Sequence, residues 1–500
     1  MAAKSMRRNL LFYVTLLAVF GVGIYLILDF GARLRPGEAV SENGVESAQR
    51  GTTQRPTEPT APSHGPSKVL SENLRHPLSV LLLQVIVVIV AARLVGGLFL
   101  KMGQPAVVGE MVAGIVLGPS LLGTLSPGAQ AFVFPASSLD FLKLLSQLGV
   151  ILFMFVVGID LNVQHLRQKA HAAVLVSHAS IIVPFFLGLT LSLAIYPSMA
   201  PPHVSFSAFA LFVGVAMSIT AFPVLARIID ERNLYRTHLG STTIACAAVD
   251  DVTAWCILAV VVAIVKADGL GSSVLTILLS LLFVGAMLFL VKPRAERLVG
   301  ERLRGGSAVG KATAAWALSF MLASAVLTEI IGIHALFGAF LAGVVVPAQA
   351  ELRTFLRERL ETFTAVFLLP LFFAFTGLRT QVGLLNDWQS WLVCAGVVAV
   401  AIVGKLGGST LAARWTGMSW RESFSVGALM NTRGLIELIV LNMGYDLGIL
   451  SPKVFAMMTI MALVTTFMTG PLLALVEWRG ARKRPFLPAG ASVTALIFKE

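Results

Sequence analysis

Charge is what this chain has least of. Only 13% of its 500 residues are Asp, Glu, Lys or Arg, about half the ~25% usual in soluble globular chains. A soluble protein of this size would need roughly twice as many, so that class is excluded. Cysteine is nearly absent as well. Cys246, Cys256 and Cys394 all sit in apolar segments, and the first two would stand ~15 Å apart along one helix, so neither a disulfide framework nor a cysteine metal cluster is indicated. No cofactor is expected.

Apolar residues fill the space that charge leaves, at 56% of the chain. They fall in repeated runs near 20 residues, the length that crosses ~30 Å of hydrocarbon as a helix. The chain therefore reads as an all-α polytopic membrane protein that spends its surface on the bilayer. Residues 1–30, with a basic start and an apolar run too long for a secretory leader, read as an N-terminal membrane anchor. Residues 31–75 are rich in Pro, Gly, Ser, Thr and Glu and bury too little to fold, so a disordered extracytoplasmic linker is expected. A transmembrane domain over 76–478 and a short cytoplasmic tail over 479–500 complete the expected organisation. About thirteen core spans are expected near 77–100, 105–123, 139–160, 172–195, 205–228, 241–265, 273–292, 311–332, 334–348, 362–380, 391–413, 423–444 and 453–476.

The net charge of +12 would suit nucleic acid, but its distribution points elsewhere. Lys and Arg concentrate in alternate loops, "HLRQKAH", "ARIIDERNLYR", "KPRAERLVGERLRGGSAVGK", "ELRTFLRERLE", "RWTGMSWRE" and "EWRGARKR", while "YPSMAPPH" and "KADGLGSS" carry almost none. That alternation is the positive-inside pattern. It puts the C-terminus in the cytoplasm of a multi-pass cell-membrane protein, and no nucleic-acid partner is expected.

Three pairs of segments resemble each other in the same order: "AGIVLGP" with "AGVVVPA", "LFMFVVGIDL" with "LFFAFTGLRT", and "AMSITAFPVL" with "ALMNTRGLIE". Gly158 matches Gly377 and Asp160 matches Arg379. The partners lie about seven spans apart, and an odd number of crossings turns the second copy upside down. Inverted repeats place a substrate site at the midplane, where the halves meet in broken helices. The third pair holds the breakers: Ser218, Thr220 and Pro223 in one segment, Asn431, Thr432, Arg433 and Gly434 with Glu437 in the other.

The sharpest feature is "CAAVDDVTAWC", which sets Asp250 and Asp251 in the middle of a spanning run. An ionised carboxylate there costs on the order of 3 kcal/mol by insertion scales. Neighbouring helix residues point ~100° apart, so one acid can face a cavity and the other a partner helix. Burial and the neighbouring negative charge favour protonation of one acid. A proton and a small cation can then compete for the same oxygens, which is the minimum an antiporter requires.

With "AFPVLARIIDERNL", "IACAAVDDVTAWCILA", "LPLFFAFTGLRTQVGLL" and "MNTRGLIELIVLNMGYDLGIL" in view, the chain resembles the monovalent cation:proton antiporter-2 family over roughly residues 77–478. The resemblance implies the sodium/proton antiporter fold, with inverted repeats, two crossed broken helices in a core domain, and a separate panel that forms homodimers. It implies exchange of Na+ or K+ for protons, with no enzymatic activity, and makes Asp251 the carboxylate that binds cation and proton. Asp250 precedes it, and Arg379 falls where relatives place a lysine that pairs with this carboxylate. Ser218, Thr220 and Pro223 match the first broken helix, and Asn431, Thr432 and Arg433 the second.

The expected arrangement pairs Asp250 with Arg379, whose proton is not lost at accessible pH, and Arg433 with Glu437 at i, i+4. Thr220 joins the acids as a candidate cation ligand. Lys405 and His334 are candidates for tuning the response to pH, and Asp160 for a cytoplasmic funnel rim. A channel has no filter-like loop in its favour, and an intramembrane aspartyl protease would need its acids on two helices. A non-transporting sensor on an antiporter scaffold is the competing reading.

Overall fold

A computed structural model describes residues 2–36, 73, 76–160, 170–232, 234, 237–266, 270–304 and 310–481. Of the expected linker only 31–36 and 73 are among them, and of the expected tail only 479–481, so the rest of both segments lies outside the described residues. Among the described residues the regular elements are helices, with no β-strand. Apolar backbone in a bilayer must satisfy its own hydrogen bonds, and a helix does so within one segment.

Each of the thirteen expected spans is occupied by a helix or a broken pair. Among the described residues eleven helices are long and apolar enough to cross alone, including Leu11–Gly31, and the bent pair Trp420–Met430 with Leu435–Asp446 is long and apolar enough together. Phe206–Ser218 and Ala335–Val345 are shorter. Two charged stretches expected as loops are helical instead. Lys292–Arg304 continues the helix begun at Leu270, and Ala350–Phe363 leads through a π-helical turn, Thr364–Leu368, into Leu369–Arg379. Both are amphipathic extensions; the second buries Leu352 and Leu356, one turn apart, beneath its charges.

The spans sort into two groups that pack mainly within themselves. Pro77–Lys101, Ala106–Leu117, Leu139–Asp160, Lys311–Ile331, Ala335–Val345 and Ala350–Leu384 form one. Ala170–Met199, the two broken helices, His238–Lys266, Trp388–Trp415 and Pro452–Ala481 form the other. The first group is closed by two glycine crossings. A Cβ on Gly114 would stand 2.3 Å from the Ala374 carbonyl oxygen, and one on Gly377 would stand 2.6 Å from the Gly114 carbonyl carbon. A Cβ on Gly158 would stand 2.2 Å from the Phe340 carbonyl oxygen, and one on Gly343 would stand 2.9 Å from Gly158 Cα. Gly114 and Gly343 are repeat mates, as are Gly158 and Gly377. The same backbone contact is therefore made twice, once with each repeat supplying each half.

The N-terminal helix Ala2–Gly31 packs on the second group. Phe12 stacks on Trp415 at 4.5 Å between ring centroids, and Tyr13 and Phe20 meet His178 and Phe186 edge-on at 5.3 and 5.0 Å. Its opposite face leaves Val14, Val22, Tyr25 and Leu26 exposed, as a lipid-facing stripe would be.

Candidate functional site

Two helices stop in mid-membrane and restart. The first runs Phe206–Ser218, turns extended at Ile219 (φ −77°, ψ 139°), and resumes as Phe222–Glu231. Pro223 is the second residue of the new half, where its missing N–H costs no intrahelical bond. The second runs Trp420–Met430 and resumes as Leu435–Asp446, the halves bent by 42°. The breaks join through the Ala221 N–H, which donates to the Thr432 carbonyl at 3.0 Å. Gly434 permits the approach, since a Cβ there would come within 2.9 Å of Val224 Cγ2.

A broken helix exposes four carbonyls at one end and four N–H groups at the other, and each end needs a partner. Buried cations take the carbonyl end of Phe206–Ser218. Arg433 donates to the Ala216 and Met217 carbonyls at 2.8 and 2.7 Å, and the Lys405 ammonium donates to the Ser218 carbonyl. Positive charge at a helix C-terminus is favoured by the helix dipole. Arg433 Nη1 also lies 3.3 Å from Glu437 Oε1, and Glu437 sits in the first turn of its half-helix, the end that favours negative charge.

Asp250 lies ~18 Å along His238–Lys266 from its start, at the level of the crossing. Its carboxylate is saturated. Ser177 Oγ donates to Oδ1 at 2.7 Å, while Oδ2 accepts from Thr220 Oγ1 at 2.6 Å, Ser180 Oγ at 2.9 Å and Lys405 Nζ at 2.9 Å. Lys405 also donates to the Ser180 carbonyl at 3.0 Å. It reaches all these acceptors from a π-helical turn, Val403–Gly407, a distortion common at functional positions. Asp250 and Lys405 are both fully buried.

Asp251 is different. It is 3% exposed, accepts from the Phe222 backbone N–H at the start of the half-helix, and its Oδ1 is buried with no donor among the described residues. One carboxylate is thus spent on protein contacts and its neighbour keeps an oxygen in reserve. Of the remaining candidates, Thr220 bonds to Asp250 and to the Met430 carbonyl. Ser218 Oγ turns back onto Val215, and Asn431 Nδ2 donates to the Thr465 carbonyl at 3.4 Å. Thr432 Oγ1 is 3.5 Å from Thr469 Oγ1.

The expected Asp250–Arg379 pair does not form. Arg379 is the last residue of its helix and lies at a membrane edge, too shallow to meet an acid in mid-span. It bonds instead to Asp446 and, at 2.9 Å, to Asn442 Oδ1, with its guanidinium 4.4 Å from the Tyr445 ring. Lys143 Nζ joins Asp446 at 3.1 Å. Asp446 belongs to the broken-helix group, and Arg379 and Lys143 to the other, so these contacts bridge the groups on one face. Beneath them lies a cavity of about 290 Å³ lined by Gln147, Glu329, His334 and Asn442. His334 has φ +85° and caps the Ala335 helix. On the opposite face Asp160 meets Arg357 at 3.4 Å.

Lys405, Ser177 and Ser180 were not assigned to Asp250 from sequence. Lys405 carries a legible signal, a lone lysine flanked by glycines in mid-span ("VGKLGG"). The serines carry none.

Crossed, unwound half-helices with buried charges at the break define the transporter class of the sodium/proton antiporter fold. Residues 85–477 match the family of sodium/hydrogen exchangers, transmembrane, and the chain belongs to that family. It is 44% identical over 400 residues to the Na+/H+ antiporter NhaS4 of Synechocystis sp., covering 80% of this chain and 97% of that one. It is 41% identical to cation/H+ antiporter 17 of Arabidopsis thaliana, covering 82% of this chain and 51% of the relative. It is 34% identical to K+/H+ antiporter 1 of Saccharomyces cerevisiae, covering 83% and 49%. This chain therefore spans about half the length of those two relatives. The sodium/proton antiporter MjNhaP1 of Methanocaldococcus jannaschii shares the fold, with a TM-score of 0.54 at 14% identity, covering 81% of this chain and 98% of that one.

Proposed function

We propose that this protein is a secondary transporter that exchanges a monovalent cation, Na+ or K+, for protons by alternating access. The observation that carries the reading is the unequal treatment of two adjacent acids. Asp250 is committed to Lys405 and three hydroxyls, whereas Asp251, at the N-terminus of a half-helix, presents a buried oxygen with no donor among the described residues. A carboxylate kept from water but not from a ligand can be neutralised by either a proton or a cation, and binding one excludes the other. Asp251 is the group that exchanges them, and Asp250 with Lys405 holds the crossing in register. Because the partner is a lysine, the bar that an arginine would set against proton release does not apply there.

The broken-helix group would move as the core, carrying Asp251 between the two faces, against a panel made by the other group. The homodimer in this reading forms on the panel's outer face, where Pro77–Lys101 presents Leu82, Ile86, Val90 and Leu94. The basic loops support placement in the cell membrane with the C-terminus in the cytoplasm.

Proton flux in proteoliposomes, driven in turn by Na+ and K+ gradients, tests the proposal. Asp251→Asn is expected to reduce cation-driven flux to the level of empty vesicles while keeping the wild-type melting temperature within a few degrees. Wild-type exchange in the purified variant would overturn the reading.

A further inference from the structure

An apolar cavity lies away from the acids. It measures about 580 Å³ and is walled by His238–Lys266, the Leu270–Arg304 helix and Ala335–Val345, within the ~300–1,000 Å³ of sites that enclose small ligands. Its lining runs from Val249 to Ala263 along the first wall, ~21 Å of helix, and from Lys292 to Ile277 along the second. It is thus a slot along the membrane normal. Val249 and Thr253 face it, while Asp251, two residues from each, points ~160–200° away around the helix. The ion path and the slot occupy opposite sides of one helix.

Three observations say what fills it. The side is open toward lipid, because the lining residues Cys256, Val260, Leu281 and Val284 are all exposed. The wall makes no polar demand on an occupant along most of its length. Thr253 Oγ1 donates to the Val249 carbonyl at 2.8 Å and Ser280 Oγ to the Thr276 carbonyl at 2.6 Å, each within its own helix. The polar features that remain sit toward one end. Lys292 closes that end, with no carboxylate at ion-pair distance among the described residues, and exposed Arg294 follows it.

We propose that the slot binds one acyl chain of an anionic phospholipid drawn from the surrounding bilayer, with the phosphate on Lys292. An apolar channel of this length takes the chain, and the ammonium selects the negative headgroup. The slot lies where core and panel meet the Leu270–Arg304 helix, so the lipid would be a structural third party to their contact.

Native mass spectrometry of the full chain, loaded separately with phosphatidylglycerol, phosphatidylcholine and palmitate, tests the site. The wild type is expected to retain phosphatidylglycerol at least five-fold over phosphatidylcholine. Lys292→Gln should abolish that preference, Ala259→Phe should reduce retention of both phospholipids, and Lys101→Gln, remote from the slot, should leave retention unchanged. Equal retention of the two phospholipids by the wild type, or an undiminished preference in Lys292→Gln, overturns the proposal. So does Lys292-dependent retention of palmitate without phosphatidylglycerol, which would make the ligand a free fatty acid. A second measurement needs no variant. Phosphatidylglycerol with a photoreactive acyl chain should label Cys256, Val284 or Phe337, and labelling confined to other helices overturns the site. Neither readout depends on transport, so the exchanger reading stands or falls separately.

Discussion

Lys405 Nζ lies 2.9 Å from Asp250 Oδ2, a fully buried ion pair between helices 155 residues apart in sequence. Taking two charges out of water is unfavourable unless their remaining hydrogen-bonding capacity is met, and here it is. The ammonium reaches two carbonyls and the carboxylate, while the carboxylate collects three hydroxyls. The pair ties His238–Lys266 to Trp388–Trp415 beside the crossing of the broken helices.

Removing one member should therefore cost more than removing both. Lys405→Met is expected to destabilise the protein by about 3–5 kcal/mol, because it strands a buried carboxylate. Asp250→Asn in the same chain should recover at least half of that loss. Thermal unfolding of the two single variants and the double variant in detergent reads the cycle, and additive losses would contradict the pair.

Arg379 should behave as a resident of the other group. Arg379→Ala and Asp250→Asn are expected to add within about 0.5 kcal/mol, as distant sites do. Arg379→Ala and Asp446→Ala should instead show coupling of about 1 kcal/mol, no more because that pair is partly exposed to solvent. The same unfolding assay separates the two outcomes.

The glycine crossings allow no side chain. Gly158→Ala and Gly377→Ala are each expected to cost at least about 1–3 kcal/mol through forced separation of backbones. Gly396, whose Cβ would meet nothing within 4 Å, supplies the control. Gly396→Ala should be neutral or stabilising by up to about 1 kcal/mol through helix propensity. Melting temperatures of the three variants, ranked against wild type, check the order.

Asp387 supplies a pH test away from the buried acids. It caps the helix starting at Trp388, and the Ser390 hydroxyl and backbone N–H, with Lys453, hold its carboxyl below the usual carboxylate range. A lowered folded-state value stabilises fully above the unfolded value of about 4 and is lost as pH falls through the folded one. Asp387→Asn should then lower the melting temperature by the same amount at every pH between about 6 and 9. A stability difference that varied across that interval would show that another group titrates with this cap.

How far the sequence could be read follows from where the bilayer acts. Apolar length set the spans, and Pro223 and Gly434 marked the breaks, because unpaired backbone in a membrane leaves few alternatives. The repeat located Gly158 and Gly377, although it did not say that they meet Gly343 and Gly114. Charge misled twice. Lys292–Arg304 and Ala350–Phe363 were read as loops from their basic residues, yet both are helices continuing beyond the apolar run. The family resemblance points Asp250 to Arg379, whereas depth in the membrane favours Lys405. Arg379 ends its helix, whereas Lys405 lies well inside Trp388–Trp415. Ser177 and Ser180 resemble any small polar residues of a membrane helix, and only the packing of Ala170–Met199 against His238–Lys266 gives them a role.

The twin glycine crossings also bear on thermodynamic direction. A frame whose two faces are fastened by the same contact, with the repeats exchanging places, is nearly degenerate under reversal: turning it over reproduces its own interactions. In the proposed exchanger such a frame would add little free energy to either orientation of the core, so small differential affinities would suffice to shift the population. Net movement is then governed by the chemical potentials of cation and proton outside the protein. The contacts that break this degeneracy are local, and those of Asp446 with Arg379 and Lys143 are among them.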